Sequence, residues 1–278
     1  MGRKEESQVT FTSEEQILEL IKPRKRFCHK GSFGHGLLIA GSYGMAGACS
    51  LAAKGALKSG LGLLSLHVPA LNRPIHQVAV PEAMVDSDSN ELCFSQLLDT
   101  SFFSAVAVGP GLGTSEETEL AFAHLINQNK QSGCPLIIDA DGLNILSNYT
   151  ELQDLIAGSI LTPHVGEIER LIGKCNNSYI RLRRTIEFAR KTKTFIILKG
   201  AYSFIIFPDG NFQINPTGNS GMATGGSGDV LTGILLGLRT QGYSAEEAIT
   251  LGAYVHGKAG QLAAEKVGRI SMTASDIL

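Results

Sequence analysis

Short apolar runs recur along the chain at 37–40, 63–67, 105–108, 136–138, 159–161, 195–198 and 203–207, several of them ending in Gly or Asp. Their lack of strict alternation marks strands buried on both faces, as in a parallel sheet. Helix signals fall between them. Thr12 with Glu15, Thr114 with Glu117, and Ser244 with Glu247 have capping-box spacing, and the first of these opens an amphipathic helix through about Ile21. Thr162-Pro163 sets a cap before a proline at the first helical position. Strand and helix alternate, so the pattern predicts an α/β fold: a parallel sheet covered by helices on both faces, with ligands beyond the carboxyl ends of the strands. No repeat or composition break divides the chain. Residues 1–278 are therefore expected to form one domain with residues 1–28 as a short lead, and the polar stretch 87–100 to be a surface excursion.

Composition narrows the classes. A chain of 278 residues can bury roughly 75% of its unfolded surface, so a sizeable core is available. A formal charge of −2 gives no electrostatic ground for nucleic-acid binding, which requires a basic surface. The cluster Lys22-Pro-Arg-Lys-Arg26 is the exception, either a solvated entry to the domain or a contact for a phosphate-rich small ligand. Cys28, Cys49, Cys93, Cys134 and Cys175 are odd in number and form no CxxC pair, which argues against a disulfide framework and a zinc site. No apolar run approaches the ~20 residues of a spanning helix, the start of the chain carries no secretory pattern, and Glu6 breaks the myristoylation pattern. These features predict a cytoplasmic protein without a membrane partner.

Chemistry concentrates in Asn215-Pro-Thr-Gly-Asn-Ser-Gly-Met-Ala-Thr-Gly-Gly-Ser-Gly-Asp-Val-Leu-Thr-Gly233, six glycines ahead of and into an apolar helix. Gly225, Gly226 and Gly228 suit a nest of backbone N–H groups at a helix N-terminus, where an anion can approach closely. Asp229 is then either an acidic first-turn residue favoured by the helix dipole or a general base taking a proton from a substrate hydroxyl beside that nest. Gly41 to Ala48 follows a strand but lacks the P-loop ending and the dinucleotide spacing. It reads as a tight turn or a ligand contact. Asp139 and Asp141 are candidate helix caps, parts of a metal–water relay, or ligand contacts. His164 packs locally or meets substrate, and Lys199 to Ser203 crosses Gly200 as a hairpin bearing a lysine.

The run from Asn219 to Gly233 resembles the signature of the NAD(P)H-hydrate dehydratase family, a branch of the ribokinase superfamily. His29-Lys-Gly-Ser-Phe-Gly-His35, Gly41-Ser-Tyr-Gly-Met-Ala-Gly-Ala48, Val108-Gly-Pro-Gly-Leu-Gly113, Asp139-Ala-Asp-Gly-Leu-Asn144, Leu161-Thr-Pro-His-Val-Gly-Glu167 and Leu198-Lys-Gly-Ala201 extend the resemblance from about His29 to the C-terminus. It implies a ribokinase-like three-layer α/β/α sandwich with a mostly parallel sheet. It also implies phosphorylation of the 6-hydroxyl of the S epimer of hydrated NADH or NADPH (NADHX, NADPHX), then elimination of phosphate to restore the cofactor. ADP, slightly preferred, or ATP is the donor, and Mg2+ is carried by the nucleotide rather than by protein ligands. Asp229, Gly226 and Gly228 would be catalytic. Ala46, Gly111, His164 and Asp229 would meet the hydrated cofactor, and Lys199, Gly200, Ala201, Tyr202, Ser203 and Gly228 the nucleotide. Tyr202 stands where many relatives carry Thr or Val. The resemblance further implies a homotetramer working with a separate epimerase chain. The rivals are a small-molecule kinase of hydroxyethylthiazole or sugar type, which would share Asp229 and the nest, and a nucleotide-sensing protein without turnover.

Overall fold

The computed structural model describes residues 10–278; the first nine, Glu6 among them, lie outside the described residues. The chain runs β1 (Thr10–Phe11), α1 (Glu14–Leu20), β2 (His35–Ile39), α2 (Ala46–Lys58), β3 (Leu63–Val68), α3 (Arg73–Ala79), β4 (Met84–Ser87), β5 (Ala105–Val108) and α4 (Glu116–Ser132). It continues through β6 (Leu136–Ile138), α5 (Ala140–Asn148), β7 (Ile160–Leu161), α6 (Val165–Ile172), α7 (Ser178–Thr192), β8 (Phe195–Leu198), β9 (Ser203–Ile206), β10 (Phe212–Asn215), α8 (Ser227–Thr240) and α9 (Ala245–Val267). All strands join one sheet in the order β1-β10-β9-β8-β7-β6-β5-β2-β3-β4. From β8 to β4 every pairing is parallel. The run at 203–207 departs from expectation: β9 is antiparallel to both β8 and β10, because only three residues' worth of turn after Lys199 returns the chain, too short for a parallel crossover. Within the lead, Thr10 and Phe11 join the sheet, β1 pairing parallel with β10.

Period-two alternation sends neighbouring side chains to opposite layers. Leu38, Ala105, Ala107, Ile137 and Ile197 face one core, and Leu37, Ile39, Val106, Val108, Leu136, Ile138, Ile196 and Leu198 the other. The first core carries α1, α2, α8 and α9; the second carries α4, α5, α6 and α7. Helix α8 is buried over most of its length, enclosing Val230, Leu231, Ile234, Leu235, Leu236 and Leu238, each contributing about 1.5–3 kcal/mol. It lies against α2 with backbones nearly touching: a Cβ on Gly233 would sit 1.9 Å from the carbonyl oxygen of Ala52. That contact fixes the start of α8 beside the start of α2.

The helix starts differ in detail from the sequence pattern. Ser13 and Ser115, not Thr12 and Thr114, accept the capping bonds, from the amides of Gln16 and Thr118. Ser244 and Glu247 form the expected reciprocal box. Thr162 caps nothing; its hydroxyl is buried without a partner, and α6 begins two residues after Pro163, with His164 as its N-cap.

Candidate functional site

The parallel strands β2, β5, β6, β7 and β8 end on one side of the sheet, and each hands its next residues to the same place. After β2, the amide of Gly41 donates to the carbonyl of Pro110 at 2.8 Å and the hydroxyl of Ser42 donates to the carbonyl of Gly111 at 2.9 Å. The loops after β2 and β5 are thereby stitched together. Gly111 is buried beneath Met45 and Ala48, where an added Cβ would lie 3.0 Å from either side chain's Cβ. It sets the spacing of the two loops, while Ala46 is half-buried at the start of α2, next to the exposed Tyr43 and Met45.

Asp141 and Asp139 follow β6, and neither side chain caps α5. Asp141 accepts from the amide of Gly113 at 2.9 Å and from the Asn144 side chain at 3.1 Å, locking the loop after β5 to α5. Asp139 is 1% exposed. Its Oδ1 accepts from Lys199 Nζ at 3.0 Å, and its Oδ2 from the Thr232 hydroxyl at 2.6 Å.

His164 is the N-cap of α6. Its Nδ1 accepts from the amides of Gly166 and Glu167 at 2.9 and 3.2 Å, which leaves the proton on Nε2, 3.2 Å from Glu167 Oε1. The other Glu167 oxygen accepts from the His164 amide at 2.8 Å. A local capping role and an exposed ring edge therefore coexist, as the side chain remains 55% exposed. Burial raises the pKa of Glu167, and Asp139 adds to the rise against the pull of Lys199.

Lys199 leaves β8 with its backbone amide donating to the carbonyl of Pro163 at 2.9 Å, and its Nζ lies 4.0 Å from Glu167 Oε2 as well as beside Asp139. Burial opposes its charge, but Asp139 and Glu167 more than offset this and hold the pKa above the ordinary lysine value. Gly200, Ala201 and Tyr202 are exposed and Ser203 is half-buried. This rim faces solvent at the mouth of the site.

The N-terminus of α8 closes the arrangement. Gly226 is its N-cap with φ +90°, and a Cβ there would stand 2.4 Å from Leu51 Cδ1 of α2; only glycine fits both demands. Gly228 is adjacent to Lys199, since its Cβ position is 3.2 Å from Nζ. Asp229 follows in the first turn, with no hydrogen bond restraining its carboxylate among the described residues. Burial, then repulsion from Asp139, with smaller contributions from Asp141 and Glu167 and against Lys199, pushes its pKa up to about 7. Behind the nest, His256 is pushed down to about 4 by burial, and its Nε2 lies 3.4 Å from the Ser227 hydroxyl.

The structure thus brings Asp229, Gly226, Gly228 and Lys199 into one cluster with Asp139 and Glu167. Ala46 and Gly111 form the adjoining loop pair at the start of α2, whose Leu51 packs on Gly226; burial and then the Asp229 carboxylate raise the pKa of Cys49 on the same helix. Sequence reading had not paired Asp139 with Lys199 or singled out Glu167 and Thr232. Asp139 and Lys199 each stand directly after an apolar strand, which was their signal; Glu167 and Thr232 lie inside helices and carried none. Among the described residues no cluster of three or more His, Cys, Asp or Glu side chains is arranged to hold a metal. The oxygens of Asp139 accept from Lys199 and Thr232, and those of Asp141 from Gly113 and Asn144.

A mostly parallel sheet with helices on both faces, and a glycine-rich helix start carrying a carboxylate at its carboxyl edge, place the protein in the ribokinase-like class. A ribokinase-like superfamily protein from Enterococcus faecalis superposes with TM-score 0.81 at 25% identity, over 97% of this chain and 93% of that one. Residues 36–278 match the NAD(P)H-hydrate dehydratase family model, and the chain belongs to that family. The ADP-dependent (S)-NAD(P)H-hydrate dehydratase of Bacillus subtilis is 36% identical over 276 residues, covering 97% of this chain and 96% of that protein. The crystal structure of the Bacillus subtilis ADP/ATP-dependent enzyme co-crystallised with ATP/Mg2+ superposes with TM-score 0.80 at 31% identity, covering 97% and 95% of the two chains. The bifunctional NAD(P)H-hydrate repair enzyme of Moorella thermoacetica is 39% identical over 261 residues. The chain spans about half the length of that relative and of its counterpart from Thermofilum pendens.

Proposed function

We propose that this protein dehydrates the S epimer of NADHX and NADPHX, using ADP or ATP with Mg2+. The observation that carries this reading is Asp229: a carboxylate with a pKa of about 7, at the mouth of a glycine nest and beside a lysine. A base poised near the working pH can take the hydroxyl proton and still be regenerated. The nest amides and Lys199 meet the charge on the phosphoryl group in flight. In the first step the substrate oxygen attacks the terminal phosphorus and its proton goes to Asp229. The bridging P–O bond breaks, and its electron pair leaves with AMP or ADP. In the second step the C6–O bond breaks, phosphate departs with that electron pair, and the neighbouring carbon gives its proton to the departing phosphate as the ring double bond forms. Phosphate leaves far more readily than hydroxide, which is what the nucleotide supplies.

Ala46 and the loop held by Gly111 would wall the hydrated cofactor, with His164 reaching it from the start of α6. Lys199, Gly200, Ala201, Tyr202, Ser203 and Gly228 would hold the nucleotide. The reading includes ADP as the slightly better donor, a homotetrameric assembly and cooperation with an epimerase; the names of the bifunctional relatives support the last. A cytoplasmic setting accords with five unpaired cysteines. The protein is taken as one domain, in keeping with its single sheet.

The shared fold makes kinase activity the rival, and product analysis separates the two. Purified protein, NADHX, Mg2+ and ADP should yield NADH, AMP and inorganic phosphate in equal amounts. A phosphorylated product that persists, or nucleotide turnover on small alcohols without NADH, would give the site to a kinase instead.

A further inference from the structure

We propose that Asp139 is a positioning residue that indexes the catalytic helix and the site's cation together, through Thr232 and Lys199. The inference rests on the dehydratase reading above and adds a role to a residue that touches neither substrate in that scheme.

Asp139 stands where a helix cap belongs, yet its side chain bonds no amide of α5. It turns inward, and the following residue, Ala140, takes φ +48°, a conformation disfavoured for a residue with a Cβ. The strain is located where β6 must deliver a carboxylate rather than simply enter a helix. Once there, both oxygens are committed: Oδ1 to Lys199 Nζ at 3.0 Å and Oδ2 to Thr232 Oγ1 at 2.6 Å.

The two arms reach different parts of the machinery. Thr232 lies three residues after Asp229 on α8, so the two share a face of the helix. A bond to Thr232 fixes the rotation of α8 about its axis, and with it the direction of Asp229. Lys199 comes from β8, two strands from β6 in the sheet order; without a tether, its flexible stem would sweep the site mouth. An ammonium has three donors. One stays on Asp139, and two remain for phosphoryl oxygens arriving at Gly228, whose Cβ position is 3.2 Å from Nζ and 3.9 Å from Asp139 Oδ2. Asp139 thus supplies registration between base, cation and nest, while its negative charge faces Asp229 and is also one cause of that group's raised pKa. Glu167, 4.0 Å from Nζ, is the other carboxylate facing the lysine. It is already engaged by the His164 amide.

The test is Asp139→Asn in the full-length chain, with Thr232→Val as a second variant that cuts the helix arm alone. NADHX, Mg2+ and ADP serve as probes, and the wild type is run first; failure of the wild type to make NADH would sink the dehydratase reading and this inference with it. With an active wild type, Asp139→Asn is expected to lower kcat by about 10²-fold, the penalty of a small misplacement, with the NADHX KM within about threefold of wild type. Removing the like charge should also move the acidic limb of the pH–kcat/KM profile to lower pH. Thr232→Val should lower kcat by roughly tenfold and leave that limb in place, because the charge remains. A cooperative melt of each variant shows that it is folded; if Asp139→Asn does not fold, Thr232→Val carries the decision. Recovery of Asp139→Asn by excess Mg2+ would make Asp139 a metal ligand and overturn the proposal. Loss of activity with an unmoved pH profile, or a kcat unchanged in both variants, would overturn it as well.

Discussion

Asp229 should weaken the fold it serves. A carboxyl whose pKa rises from the ordinary 3.8 to about 7 binds its proton more tightly in the folded state than in the unfolded one. The folded protein therefore loses stability as pH climbs from about 4 through 7, and the loss is complete above that window. At 1.36 kcal/mol per pH unit, the displacement of Asp229 from 3.8 to about 7 is worth on the order of 4 kcal/mol. Asp229→Asn keeps the shape and removes the ionised form. At pH 8 it should melt roughly 8 °C above wild type, given about 2 °C per kcal/mol for a chain of this size. At pH 4.5, where the wild-type carboxyl is protonated in the fold, the two proteins should melt nearly together. Calorimetry of both proteins across pH 4.5–8, without nucleotide, reads this directly. A gain that does not vary with pH, or a mutant that is less stable at pH 8, would refute the assignment of Asp229 as a buried carboxyl whose charged form is disfavoured.

Kinetics should show the same group from the other side: kcat/KM for NADHX, at saturating nucleotide, should fall tenfold per pH unit below about 7 in the wild type, whereas a flat profile down to pH 5 would remove Asp229 as the base. Gly233→Ala drives a Cβ into the Ala52 carbonyl and should destabilise by about 1–3 kcal/mol, read by urea unfolding; a neutral result would mean that α2 and α8 are not held so close. His164→Ala removes the acceptor of two α6 amides and should lower stability by about 1 kcal/mol while raising the KM for NADHX. A stability loss with KM untouched would confine His164 to capping.

Strands β5, β6 and β8 could be read to the residue, because each is an unbroken apolar run between turn residues and both faces are buried. The β4 and β10 segments, Met84–Ser87 and Phe212–Asn215, escaped: they mix polar with apolar residues and are only partly buried, so no apolar run betrays them. The two displaced caps share one cause, since Thr12-Ser13 and Thr114-Ser115 each offer adjacent hydroxyls and the backbone turned at the second. In the site, the clustering of Asp229 with Gly226 and Gly228 at a helix start was legible because these residues lie within a few positions of one another. The Asp139–Lys199 pair was not, as its partners are 60 residues apart in the chain and meet only because the sheet order places β6 and β8 about 10 Å apart, a span that a lysine stem bridges. Asp141 likewise looked like a cap and proved to hold the loop after β5.

The most direct test of the whole account is recovery of nicotinamide absorbance when the purified protein meets NADHX with Mg2+ and either ADP or ATP, with Asp229→Asn alongside. Recovery that requires a nucleotide, releases one phosphate per NADH and falls at least 10²-fold in the mutant is the predicted result. Absence of recovery with either nucleotide, or equal recovery by the mutant, would contradict it.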